Sequence, residues 1–105
     1  MPDVPSLMLL VLLAPADRRD DLVDALMGND HISGFTLSPA LGYSREHSDF
    51  SLGDQVAGYR DYSRFEVLFE AREQELLLET LSRASGNERL RYWIMPVPET
   101  GHLHR

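Results

Sequence analysis

Residues 42–70 read GYSREHSDFSLGDQVAGYRDYSRFEVLFE. The end of this stretch alternates. Phe65, Val67 and Phe69 fall on one side; Glu66, Leu68 and Glu70 fall on the other, with Leu68 the one apolar exception. A period of two predicts a strand with one buried face. The beginning, from Tyr43 to about Asp61, has no apolar period and carries glycines, acids and a histidine. That is a long loop for a short chain, and such loops in compact domains usually serve a function. What lies on either side of it decides the fold.

Upstream, HISGFTLSPALGY (31–43) alternates around Phe35 and Leu37 until Pro39 interrupts. A proline in a strand places it at a sheet edge or a bulge. Before it, PADRRDDLVDALMGND (15–30) predicts a short amphipathic helix. Asp17 serves as N-cap, Leu22, Val23, Leu26 and Met27 form the apolar stripe, and Gly28 stops the helix. The run LMLLVLL (7–13) is apolar without a break and predicts a central strand buried on both faces. It is too short to span a bilayer. Ala14-Pro15-Ala16 has the form of a leader cleavage site, but MPDVPS ahead of it has an acid and no positive charge, which favours the strand.

Downstream, REQELLLETLSRASG (72–86) predicts a second helix buried through Leu77, Leu78, Leu81 and Ala84 and ended by Gly86. ERLRYWIMPVP (88–98) predicts the last strand, and residues 99–105 a polar, flexible tail. The order is β-α-β-loop-β-α-β in a single domain over residues 1–105. This is the α+β, ferredoxin-like βαββαβ pattern: a four-stranded antiparallel sheet, two helices on one face, and a long loop between strands 2 and 3. Both faces of the first strand are apolar while helices cover one, so the other face predicts burial against another subunit and hence a homo-oligomer.

Composition narrows the function. The chain has 105 residues and a formal net charge of -7, which speaks against nucleic-acid binding. It has no Cys, which excludes disulfides, thiolate metal sites and a Cys nucleophile and fits a cytoplasmic protein. No nucleophile elbow, metalloprotease helix or phosphate-cradling glycine loop is present, and the sequence predicts no enzyme. Arg45 after Gly42, and Arg89 and Arg91 at the start of the last strand, are candidate anion-binding residues, which the fold would separate within one subunit and a ring could bring together. His47, beside Glu46 and Asp49, and the tail histidines His102 and His104 are candidate ligands for a divalent metal ion. Surface arginines and solvated histidines explain the same residues without a site.

ISGFTLSPALGYSREH (32–47) resembles the second strand and loop opening of PII signal-transduction proteins. The likeness rests on Ile32, Gly34, Phe35, Thr36, Leu37, Gly42, Tyr43 and Arg45, with Ser44 and Glu46 departing from the pattern. RFEVLFEAREQELLLETLSRAS (64–85) resembles that family's third strand and second helix. The resemblance implies a trimer whose loop, here 43–61, docks on a partner such as a membrane transporter, through residues such as Tyr43, Phe50, Tyr59 and Arg60. It implies an adenine nucleotide or other small ligand between subunits, with Gly42, Arg45, Glu46, Arg89 and Arg91 at the site. The family's long phosphate-binding loop is shortened here to SGNERLR (85–91), and its basic C-terminal segment is replaced by PETGHLHR (98–105). These departures bring the chain closer to a PII-like group found beside heavy-metal efflux pumps. A CutA-like metal-binding protein and a small ferredoxin-like enzyme are the alternative readings.

Overall fold

A computed structural model of the chain describes residues 6–43 and 58–104. Strand β1 (Leu7–Pro15) leads through a 3-10 turn into helix α1 (Arg19–Met27), followed by strand β2 (Phe35–Gly42). Strand β3 (Arg60–Glu70), a second 3-10 turn, helix α2 (Gln74–Ala84) and strand β4 (Arg91–Pro96) complete the βαββαβ order. The four strands form one sheet in the order β2-β3-β1-β4, antiparallel throughout. The predicted ferredoxin-like arrangement is therefore what forms. No helix among the described residues is long and apolar enough to cross a membrane.

β1 is central, as its unbroken apolar run requires. Its Leu10, Leu12 and Ala14 meet Phe65, Val67 and Phe69 of β3, and Leu22, Leu26, Leu77 and Leu81 of the helices close over them. All of these are buried. β2 lies at an edge, where Pro39 is tolerated because a missing N–H on the outer side costs no ladder bond. Its pairing does not fade after Pro39, however, and continues to Gly42 opposite Arg60.

Several local expectations are corrected. Asp17 does not cap α1. It sits inside the 3-10 turn Ala16–Arg18, and no side chain caps the helix. Asp20 and Asp21 still occupy the first turn, where the helix dipole favours them. Met27 belongs to the outer face and is 73% exposed, because at 3.6 residues per turn it lies roughly 120° round the helix from the line of Leu22 and Leu26, the two buried residues. Gly28 ends α1 in a right-handed conformation (φ -84°), not a left-handed one. Arg60 and Asp61 lie within β3 and not in the loop. β4 starts at Arg91, which leaves Arg89 in the connection before it.

α2 ends as its sequence predicts. Gly86 has φ 69°. Its N–H donates to the Arg83 carbonyl and that of Asn87 to the Ser82 carbonyl, both at 3.0 Å. This paired closure satisfies carbonyls that a helix end otherwise leaves bare. The Arg18 guanidinium lies beside Gly86 and pairs with Glu88 at 3.0 Å, tying the start of α1 to the exit of α2.

The helix-free face is covered in part by the chain itself. Val11 is 0% exposed although no helix covers it. Its lateral neighbours are Glu66 and Trp93. Arg64 bonds to Glu66 at 3.1 and 3.2 Å and stacks over the Trp93 ring at 5.8 Å. Part of this face is thus sealed by the chain's own side chains. Leu7, Leu9, Leu13 and Leu68 remain half-buried, and Met95 is exposed.

Candidate functional site at the loop base

The β2–β3 ladder ends at Gly42 opposite Arg60. One residue further out on each strand, the Tyr43 and Tyr59 rings meet with centroids 5.8 Å apart, tilted by 45°. Tyr62 lies across Gly42 so closely that a Cβ there would fall 2.1 Å from a ring carbon. Glycine is required at this position by the ring and not by backbone conformation. The Arg60 guanidinium covers the same Tyr62 ring at 5.8 Å. Three tyrosines, one arginine and one glycine thereby fix where the chain leaves β2 and where it enters β3. A cavity of about 570 Å³ adjoins this base on the helix side, bordered by Arg19, Leu37, Leu41, Asp61 and Tyr62.

The predicted site residues fall into separate groups. Gly42, Tyr43, Tyr59 and Arg60 share the base. Arg45, Glu46, His47 and Phe50 lie outside the described residues. Arg91 stands opposite Leu13, which in turn faces Arg64. It therefore shares the helix-free face with Trp93, while Arg89 borders a cavity on the helix side. Gly42 and Arg91 are on opposite outer strands with β3 and β1 between them. At ordinary strand spacing that is about 14 Å across the sheet, and the register adds a four-residue offset along the strands, from Arg60 to Arg64. One chain does not bring them together, as the sequence reading anticipated.

His102 and His104 are exposed in the segment after β4. Among the described residues no three His, Cys, Asp or Glu side chains gather as a metal site would need. The role of Tyr62 was missed by the sequence reading. The signal was present, since a glycine inside a strand often marks close approach by another group. An aromatic residue on the facing strand is the natural candidate.

No curated protein matches the chain. Among solved structures, a DUF3240 family protein from Shewanella baltica OS155 is 37% identical, with a TM-score of 0.80 over 96% of this chain and 100% of that one. A Bacillus cereus protein related to NIF3 has a TM-score of 0.67 at 18% identity, over 96% of this chain and 28% of that one. Arabidopsis thaliana PII bound to citrate has a TM-score of 0.66 at 14% identity, over 89% of this chain and 78% of that one. The last two likenesses concern the fold. The family model described as "Protein of unknown function (DUF3240)" matches residues 5–104, and the chain belongs to that family.

Proposed function

We propose that this chain is a cytoplasmic PII-like regulatory protein that acts by binding and not by catalysis. It assembles as a trimer. Its loop, leaving at Tyr43 and returning at Tyr59, contacts a partner such as a membrane transporter, of the heavy-metal efflux kind that the sequence resemblance implies. A small ligand, an adenine nucleotide or a divalent metal ion, biases the loop. The observation that carries this reading is the anchored base: Gly42 opposite Arg60, with Tyr43 against Tyr59 and Tyr62 across Gly42. A long loop fixed firmly at its two ends transmits a change at its foot without disturbing the sheet.

The test combines light scattering with a thermal-shift screen against adenine nucleotides and divalent metals. The reading expects a trimer and at least one ligand that raises the melting temperature, because a ligand binding only the native state stabilises it. A monomer or dimer, or a screen with no shift, would count against it.

A further inference from the structure

A second cavity, of about 340 Å³, opens at the other side of the molecule from the loop base, between α2 and β4. Its size is at the small end of ligand clefts, which run to about 300–1,000 Å³, and suits a single ring or a short chain. Leu10, Leu12 and Leu81 form its buried floor, and the half-buried Leu78 and Leu90 and the exposed Tyr92 form its accessible walls. Its polar groups, Ser82, Ser85, Glu88 and Arg89, come from the end of α2 and the connection after it.

The charges there do not cancel. Glu88 is already paired with Arg18 at 3.0 Å. Arg89 is exposed and makes no ion pair among the described residues. At the helix end the carbonyls of Leu81, Ser82, Arg83 and Ser85 accept from the Ser85, Asn87, Gly86 and Glu88 N–H groups, and that of Ser82 also from the Ser85 hydroxyl at 2.7 Å. An apolar cavity edged by one guanidinium with no ion pair among the described residues is complementary to a ligand with an apolar body and one negative group.

We propose that this cavity binds a small amphiphilic carboxylate, its chain or ring against Leu78, Leu90 and Tyr92 and its carboxylate at Arg89. This goes beyond the regulatory reading and shares only Arg89 with the ligand site expected there; it uses none of the loop and no subunit contact, so octanoate binding can fail while the trimer and its ligand stand, and the reverse. Calorimetric titration of the full chain with octanoate tests it, with 1-octanol as the uncharged control and acetate as the control without a tail. Octanoate is expected to bind and acetate not to. Arg89→Gln weakens octanoate about tenfold, the loss of one charge-assisted contact, and leaves 1-octanol unchanged. Ser82→Phe, which fills the cavity from an exposed helix position, abolishes both. Circular dichroism melts check that both variants fold, and Arg89→Gln alone suffices if the other does not.

The proposal is overturned if octanoate gives no heat at roughly 10 mM, if Arg89→Gln binds octanoate as well as the parent chain, or if a folded Ser82→Phe still binds it. It is equally overturned if Ser82→Phe lowers the subunit count while octanoate does not bind, which would mark the groove as the seat of a second copy.

Discussion

The two faces of β1 carry the same kind of residue and meet different fates. On one, Leu10, Leu12 and Ala14 disappear beneath two helices. On the other, Val11 reaches the same burial beneath an arginine, a glutamate and a tryptophan, while Leu7, Leu9 and Leu13 stay half-open. Burial of an apolar residue therefore does not require an apolar cover. Long side chains with polar ends can lay their stems or rings across a strand and keep their heads in water. The helix-side core is held by packing that only intact shapes provide. The opposite face is held by a few contacts open to solvent.

Three substitutions test that contrast. Phe65→Ala, on the helix side at 0% exposure, is expected to lose about 3–5 kcal/mol in urea unfolding, since the cavity it leaves cannot fully collapse. A loss below about 1 kcal/mol would mean the helix-side core is as loosely held as the other face. Trp93→Ala removes a ring that is 37% exposed and uncovers Val11, so about 1–2 kcal/mol is expected. A cost equal to that of Phe65→Ala would erase the distinction between the faces. Arg64→Met is the smallest change. Both partners of the Arg64–Glu66 pair are more than a third exposed, at 36% and 38%. Water screens such a pair, and Met keeps an apolar stem over Trp93, so the change is expected to stay within about 1 kcal/mol. Unfolding in high salt gives the same answer by another route: the parent loses no more than the Arg64 variant has already lost.

The sequence was most informative where one residue type had one reason to be present. The run at 7–13 read best as a central strand and the alternation through Phe65, Val67 and Phe69 as a half-buried one, and both formed. Glycine 86 announced its left-handed turn. Legibility ended where the outcome depended on residues distant along the chain. Asp17 looked like a cap, but Pro15 and the 3-10 turn set where the helix starts. Arg64 and Trp93 sit on strands that are neighbours of β1 and not of each other, so nothing local predicts that they meet. Arg89 and Arg91 read as a pair, yet one falls before the strand and borders a cavity while the other lies on the opposite face. The loop base was half legible: Gly42 and the tyrosines were noticed, but not that Tyr62 is the reason for the glycine.

The strand order β2-β3-β1-β4 carries one more consequence. β1 and β2 come before the loop, β3 and β4 after it, and each of the three ladders joins a strand of the first half to a strand of the second. Neither half contains a pair of strands able to hydrogen-bond to one another in this sheet. The domain resembles two combs whose teeth interlock, and the covalent link between Gly42 and Arg60 is not what holds them. A protease that cut the backbone there would leave two fragments still gripping each other, and mixing the fragments separately made should rebuild the sheet. The sheet itself therefore places no demand on the length of that link.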